Sequence, residues 1–440
     1  MLQQPKTFQM VVVGVFVVLI ILGFLGFSGK LDGILPSSGK DVNYGEVTLW
    51  GTVPTMTMQS LISNYLSNNK SITINYVQKN PETLNSDFVE ALARGKGPDM
   101  IMLSQDEILK NGDKLGTLPY QTFPERDFKN TFLQEGELFL RPNGIIAMPF
   151  TIDPIVMYWN RDIFTNALIP TPPTLWTDFY SLVPKITIRD NQGGISKSLV
   201  AFGGYRNVSN AKEVVSLLAM QAGSPVVTEQ NGVFSPGLVT QDNLATENPV
   251  ISALRFFTEF SKSGKDSYSW NSSLPQSRSM FESGDLAIYL GYASEYKSIQ
   301  QRNPHLNFDV AMVPQAGNSP VKLTFGKMYG IATSMASKNP QGSIYAMLLL
   351  SSKDLVSGVS ALSGLPPVRR DLIGLRPTDA ALSVFYDSAL ISRAWHDPAP
   401  SATNLLFMSM IESVTSGRSS MSQALVVAQG GLGALLAPYR

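Results

Sequence analysis

The stretch from residue 86 to residue 103, SDFVEALARGKGPDMIML, predicts a helix, a turn and a strand in direct succession. Ser86 is the predicted N-cap of the helix, Asp87 stands in its first turn, and Gly95 follows its last residue. The apolar run at 100–103 is typical of a buried strand. A helix that leads directly into a buried strand is the repeating unit of an α/β protein.

The segment before this stretch shows the same alternation. Residues 46–50 (EVTLW) and 72–77 (ITINYV) alternate like strands, and residues 56–66 between them carry apolar side chains at helical spacing. This order of strands and helices favours an α/β lobe with a largely parallel sheet.

The rest of the chain continues in the same way. Further strands are predicted at residues 145–149, 155–159, 286–290 and 308–313. Further helices are predicted to begin at residues 172–174, at Pro249 and at Pro340. A last amphipathic helix is predicted to begin at Ser420 and to stop at Gly430 and Gly431.

The N-terminal region is apolar enough to cross a membrane. Residues 10–27 (MVVVGVFVVLIILGFLGF) would span about 27 Å as a helix, close to the ~30 Å hydrocarbon core. We therefore predict a transmembrane helix at about residues 9–27 and a tether up to residue 44. The alternative is a cleaved signal peptide, which usually has an apolar region of about 7–15 residues and an Ala-x-Ala-like site, whereas GFSGK follows here.

Length and composition exclude several classes of protein. The 440 residues are too many for one ordinary core and indicate two lobes. Lys and Arg together number 34, as do Asp and Glu, so no basic excess indicates a nucleic-acid partner. The chain has no Cys, which excludes disulfides and thiolate metal sites, and its two histidines, His305 and His396, are too few for a His-rich site. We predict neither a cofactor nor a metal.

Six short motifs point to one family. They are VTLW at 47–50, ARGKGPDMI at 93–101, MP at 148–149 followed by Asp153 and YWNRD at 158–162, PPTLWTDF at 172–179, MFESGDLAI at 280–288 and SGR at 416–418. No motif is specific alone, but in this order, over about residues 46–430, the chain resembles the extracellular solute-binding proteins of sugar-type ABC importers, the family that contains maltodextrin-binding protein.

The resemblance implies an architecture, which is an α/β, two-lobed, periplasmic-binding-protein-like (type II) fold with a hinge, preceded here by the transmembrane helix. Lobe 1 would comprise residues 45–149 plus 316–366, and lobe 2 residues 150–314 plus 370–440. Most members of the family are tethered by a lipid on an N-terminal Cys. Because this chain has none, its helix would anchor it to the cell membrane with the globular part outside.

The resemblance also implies a function. The lobes would close on a small polar solute, a sugar or oligosaccharide, and the loaded protein, a monomer, would deliver it to the subunits of an ABC permease. Two other classes stay open: a cell-surface binding or adhesion protein without transport, and a glycan-acting enzyme. A carboxylate pair for such an enzyme is possible among 34 acids, but no Gly-x-Ser-x-Gly elbow for a serine nucleophile occurs.

A sugar site combines flat aromatic platforms with carboxylates or amides that bind hydroxyl groups. By position and by resemblance, seven residues are the predicted ligand-binding set: Trp50, Asp106, Asp153, Tyr292, Trp270, Tyr205 and Asn404. Each has an ordinary alternative: the aromatic residues could pack in a core or lie in exposed loops, Asp106 could be a surface acid, and Asp153 could be a turn residue before Pro154. Asn404 stands where a maltodextrin binder has a stacking Trp, which puts a maltodextrin ligand in doubt.

Overall fold

The computed structural model describes residues 43–66, 69–239, 248–317 and 321–439. The predicted transmembrane helix and most of its tether therefore lie outside the described residues. The strands are β1 Glu46–Gly51, β2 Thr73–Gln78, β3 Met100–Ser104, β4 Leu140–Arg141, β5 Gly144–Ile145, β6 Met148–Asn160, β7 Ile188–Arg189, β8 Ile195–Val200, β9 Val227–Gln230, β10 Val233–Pro236, β11 Leu286–Tyr292, β12 Phe308–Ala311, β13 Thr324–Thr333 and β14 Ser392–Arg393.

Helices alternate with these strands, as the α/β prediction requires. They are α1 Thr55–Leu66, α2 Leu84–Ala93, α3 Ile108–Asn111, α4 Glu125–Thr131, α5 Arg161–Asn166, α6 Asp178–Ile186, α7 Ala211–Gln221, α8 Pro249–Glu259, α9 Ser277–Glu282, α10 Tyr296–Arg302, α11 Pro340–Leu350, α12 Lys353–Ser363, α13 Arg370–Ile373, α14 Ala380–Leu390, α15 Pro400–Thr415 and α16 Met421–Leu436.

The main sheet is mixed, whereas the sequence favoured a largely parallel one. Its order is β2-β1-β3-β13-β6-β11-β8-β7, with β12 beside β6 and β14 beside β13. The pairs β1–β2, β1–β3 and β11–β8 are parallel, but β13 and β6 run antiparallel to each other and to their outer neighbours β3 and β11. The parallel βαβ units therefore lie on both sides of a central antiparallel pair.

That central pair corrects a second prediction. The strands predicted at 145–149 and 155–159 are mostly one continuous strand, β6, of 13 residues. Two prolines, Pro149 and Pro154, interrupt its pattern in the sequence, yet both are accommodated within the paired strand. We call β6 and β13 the hinge strands, because both run from one hydrophobic core to the other.

The buried apolar residues form two clusters, which give the two lobes predicted from the sequence. The first core includes Leu49, Phe88, Leu103, Phe139 and Ile331, and the second core includes Trp176, Phe202, Phe257, Leu286 and Ile411. On β6 the change from the first core to the second falls between Ile152 and Ile155, and on β13 the reverse change falls between Phe325 and Met328. The residue ranges given above for each lobe stay a prediction.

Three predicted helix boundaries were wrong. Ser86 lies inside α2, because a turn at Asn80–Thr83 already starts the helix there. The helix predicted at 172–174 begins only at Asp178. The last helix continues through Gly430 and Gly431 to Leu436, since burial of Leu432 and Leu436 outweighs a glycine cost of about 1 kcal/mol per residue.

This last helix is also the one described helix that is long and apolar enough to cross a membrane, counted over Met421–Tyr439. Its inner face buries Leu425, Ala428 and Leu432 in the second core, where it packs against α15 and α8. This packing is typical of a core helix.

Alanine at Gly326 tests the packing where β13 passes between the cores. A Cβ there would overlap the buried Ser392 hydroxyl and Glu135 carboxylate. We expect Gly326→Ala to lower the free energy of unfolding, measured by chemical denaturation, by about 1–3 kcal/mol. In the control Gly374→Ala, the methyl group meets open space and the change should stay below about 0.5 kcal/mol. Equal stability of the two variants would contradict the close packing at Gly326.

Candidate functional site

The candidate site lies where the hinge strands pass between the two cores. Asp153 on β6 and Lys327 on β13 are directly opposite in the antiparallel register, so their side chains leave the sheet on the same face. We call Asp106, Asp153, Lys327, Tyr292 and Tyr329 the hinge cluster. It joins residues from four different strands or the turns that follow them.

Asp106 enters this cluster from the end of β3. The strand is buried along its whole length and ends in the short 3-10 turn Gln105–Glu107, which directs the Asp106 carboxylate towards Lys327 at 3.4 Å. The Ser104 hydroxyl donates a hydrogen bond to the same carboxylate. Burial acts to raise the pKa of Asp106, but the Lys327 ammonium and the Ser104 hydroxyl outweigh it and hold the pKa below its ordinary value.

Asp153 is almost fully buried, with 8% of its surface exposed. Its Oδ1 accepts a hydrogen bond of 2.9 Å from the backbone N–H of Ser294, in the turn that follows β11. Burial, assisted by the nearby Glu295 carboxylate and opposed by Ser294 and Lys327, raises the pKa of Asp153 to about 7. Near neutral pH this group can therefore either accept or donate a hydrogen bond.

Two tyrosines complete the hinge cluster. Burial, with the carboxylates of Glu213, Asp106 and Asp153, raises the pKa of Tyr292 well above its ordinary value. Tyr329 lies on β13, its ring centroid 5.9 Å from the Lys327 ammonium, and burial raises its pKa to about 12. The hinge cluster thus combines two aromatic rings with two carboxyl groups.

The first turn of α7 adds charged groups from the second lobe. Lys212 is buried, and its Nζ lies 2.8 Å from Asp397 Oδ2 and 5.6 Å from the ring centroid of Trp395. Thr403 donates its hydroxyl hydrogen to the same carboxylate. The next residue, Glu213, is half-buried.

The other predicted ligand-binding residues are not members of the hinge cluster. Trp270 is fully buried in the second core, where its indole N–H donates to Asn207, so its prediction as a solute contact was wrong. Trp50 packs half-buried against the first core, and the Lys79 ammonium lies 3.8 Å above its ring. Tyr205 donates a 2.6 Å hydrogen bond to Asn404 Oδ1, so the structure brings these two together on the second lobe.

Sequence reasoning missed Lys327, Tyr329, Lys212 and Glu213. The one signal for Lys327 is a single charged residue within the strand TFGKMYGIAT, whose other positions are apolar, small or hydroxyl-bearing. For Glu213 the sequence offers only an acid in a helix first turn, a position that many surface acids occupy. Among the described residues, no group of three or more His, Asp or Glu side chains could hold a metal ion.

The two-lobed α/β fold, with strands that cross between the cores, is that of a periplasmic-type solute-binding protein. Residues 60–374 match the family described as "Bacterial extracellular solute-binding protein". The chain therefore belongs to the bacterial extracellular solute-binding proteins.

Comparison with individual proteins agrees with this assignment. A binding protein of Brucella abortus (strain 2308) is 21% identical over 307 residues, which are 69% of this chain and 70% of the relative. A cyclo/maltodextrin-binding protein complexed with maltotetraose has a TM-score of 0.71 at 16% identity, over 90% of this chain and 98% of that one. An ABC transporter solute-binding protein from Thermotoga lettingae TMO, bound with α-D-tagatose, has a TM-score of 0.67 at 17% identity, over 89% and 100% of the two chains. At these identities the structural similarity shows the fold.

The raised pKa of Asp153 predicts how stability depends on pH. The carboxyl group titrates near 4 in the unfolded chain and at about 7 in the folded protein. The folded state then binds more protons between these values, so the free energy of unfolding falls as pH rises from about 4 to about 7. Asp153→Asn should reduce this fall by about 1–3 kcal/mol, measured by urea unfolding at pH 5 and pH 8.

Glu135 serves as an internal comparison, because burial raises its pKa to about 7 as well. Glu135→Gln should therefore reduce the same fall. The control Glu82→Gln, at an exposed position, should leave the pH profile as it is. A profile that Asp153→Asn leaves unchanged would show that Asp153 is ionised in the folded protein at pH 5.

Proposed function

We propose that this protein captures a carbohydrate or a similarly polar solute between its two lobes, outside the cell membrane, and delivers it to an ABC permease. The observation that carries the proposal is the hinge cluster. It combines two tyrosine rings with two carboxyl groups and an ammonium at the crossing of the hinge strands. Such a set suits a ligand with apolar C–H faces and many hydroxyl groups.

Closure of the lobes is a hinge motion about β6 and β13. Asp106 follows β3 of the first core, Lys327 lies on β13 at the crossing, and Tyr292 and Ser294 lie at the end of β11 and in the turn after it, beside the second core. A solute that contacts both sets binds the closed form better than the open form, and each 1.4 kcal/mol of preference is tenfold in population. The permease would then recognise the closed, loaded protein.

The same proposal includes location and partners. A helix at about residues 9–27 anchors the chain, residues up to 44 tether it, and a monomeric two-lobed part (45–149 plus 316–366, and 150–314 plus 370–440) works at the outer surface. The family description and the solutes named for the similar structures support an extracellular sugar-binding role. We propose binding without catalysis, since these similar proteins are binding proteins.

Asp106→Asn tests this proposal, because it weakens the contact with Lys327 and replaces one hydroxyl-binding oxygen with an amide N–H. With residues 43–440, a thermal-shift screen over mono- and oligosaccharides, polyols and short peptides should find a ligand that stabilises by about 2.7 kcal/mol at a hundredfold excess over Kd. Titration calorimetry should then show at least a tenfold weaker Kd for Asp106→Asn. The exposed Asp127→Asn on the same lobe is the matched control and should bind normally.

Two outcomes would contradict the proposal. One is that no solute class shifts the unfolding temperature of the folded protein. The other is that Asp106→Asn and Asp127→Asn bind the identified solute equally well, in which case the hinge cluster is not the site.

A further inference from the structure

A cavity of about 450 Å³ lies at the end of β6 that is remote from the hinge cluster. It is bounded by the end of β6, by α5, by the last turn of α6 and by the turn that follows α9. We call it the outer cavity. Asn160, the last residue of β6, lines it, and seven residues, about 23 Å of extended strand, separate Asn160 from Asp153. The volume is in the range of small-molecule sites, and a ligand there would lie outside the hinge cluster.

The side chain of Asn160 presents an unused donor to the outer cavity. Only 3% of the residue is exposed, and its Oδ1 accepts a 3.0 Å hydrogen bond from the backbone N–H of Ile163, which fixes the orientation of the amide. Its Nδ2 donates to no described residue. A Cβ placed on Gly284 would lie 3.9 Å from this Nδ2 and 3.9 Å from Leu306 Cδ1, and both residues line the cavity. An acceptor in the cavity would therefore satisfy a nearly buried donor.

Two lysines on the cavity wall add further donors. Lys185, in the last turn of α6, makes no hydrogen bond and no ion pair with the described residues. Lys197 donates to the Gly284 carbonyl at 3.4 Å and pairs with the Asp285 carboxylate at 3.1 Å. An ammonium group has three N–H donors, so Lys197 keeps one and Lys185 keeps all three.

Acceptors on the same wall are fewer. Among the described residues that line the cavity, Asp162 is the one acid, and its Oδ1 already accepts a 2.7 Å hydrogen bond from Asn307. Asp162 is exposed, so water and salt screen its charge. The unused hydrogen-bonding groups of the outer cavity are therefore mainly donors, and they call for a ligand that is rich in acceptors.

We propose that the outer cavity binds a small organic carboxylate. Its oxygens would accept hydrogen bonds from Asn160 Nδ2 and Lys185 Nζ. A carboxylate offers about four acceptor positions and no donor, and its hydrogen bonds to an ammonium group are about twice as strong as neutral ones. The apolar part of the ligand would pack on Ile163, Ile186 and Leu306, of which the two isoleucines are 8% and 3% exposed.

Other ligand classes fit the same wall less well. Inorganic phosphate would satisfy the donors but leave the apolar side chains without a contact. A neutral amide brings one carbonyl acceptor and no charge for Lys185. An amine brings a positive charge to a wall that already carries two ammonium groups, and it offers donors to donors.

The experiment uses probes that separate head group from apolar chain. Hexanoate, hexanamide and hexylamine share one chain and differ in head group, and inorganic phosphate has the charge without the chain. Ligand-observed NMR titration at pH 7 uses the full chain in lipid nanodiscs, with empty nanodiscs as the blank. We expect the wild-type protein to bind hexanoate with a Kd of about 1 mM or lower, at least tenfold tighter than each of the other three probes.

The variant Asn160→Asp keeps the oxygen that accepts from Ile163 and replaces the Nδ2 donor with a second oxygen. It should bind hexanoate at least tenfold more weakly and should gain affinity for hexylamine, a gain that an unfolded variant would not show. Lys185→Gln should weaken hexanoate binding at least threefold. The matched control is Lys265→Gln, an exposed lysine of the second lobe that does not line the cavity, and it should behave as wild type.

Four outcomes would overturn the inference. Equal binding of hexanoate and hexanamide would exclude recognition of a carboxylate, and tighter binding of phosphate than of hexanoate would exclude the apolar contact. Unchanged hexanoate binding by Asn160→Asp would exclude the role of Asn160. No binding of hexanoate at about 50 mM by the folded wild-type protein would exclude the site itself. None of these outcomes tests the hinge cluster, so the proposed function stands or falls separately.

Discussion

The two-lobed structure depends on the pairing of β6 with β13, the strands that carry the chain between the two cores. At the crossing, Pro154 of β6 lies opposite Gly326 of β13. Proline supplies no N–H to the ladder, so this point of the sheet has one backbone donor fewer than its neighbours, while the Ser392 hydroxyl and the Glu135 side chain pack against Gly326. The hinge strands thus join the cores through a pairing that lacks one donor at Pro154 and shifts its register between Tyr329 and Gly330.

Charged side chains lie directly beside the crossing of β6 and β13. Lys327 follows Gly326 directly and is the register partner of Asp153, while Asp106 reaches it from the end of β3. Burial alone would make an isolated ammonium costly, and the surrounding carboxyl groups offset this cost. The same low dielectric strengthens any hydrogen bond or charge interaction that the buried Asp153 carboxyl group makes.

The sequence predicted those parts of the protein that local patterns determine. The strand 46–50 and the buried run at 100–103 follow from alternation and apolar content. Asp106 and Asp153 were predicted from the resemblance to the family, by their positions after the Pro98-Asp99 turn and before the Tyr158-Trp159 motif. Lys327 was missed because it meets Asp153 only when β13 pairs with β6, and Glu213 was missed because its helix α7 reaches β13 only in the folded protein. No local pattern encodes either contact. The prediction for Trp270 has a related difficulty. For an aromatic residue outside any strand or helix, the local sequence is the same whether the side chain packs in a core or contacts a solute.

The division of the site between lobes has a consequence for selectivity. In the proposed function, contacts with Asp106 would be available beside the first core in both the open and the closed state, so they would add affinity without favouring closure. Contacts with Tyr292, beside the second core, would be added only when the lobes meet. A ligand shifts a two-state equilibrium only by its difference in affinity between the states. Under the proposed function, the second-lobe groups would therefore decide which bound solute produces the closed form, and the first-lobe groups would decide how tightly the solute is held in the open form.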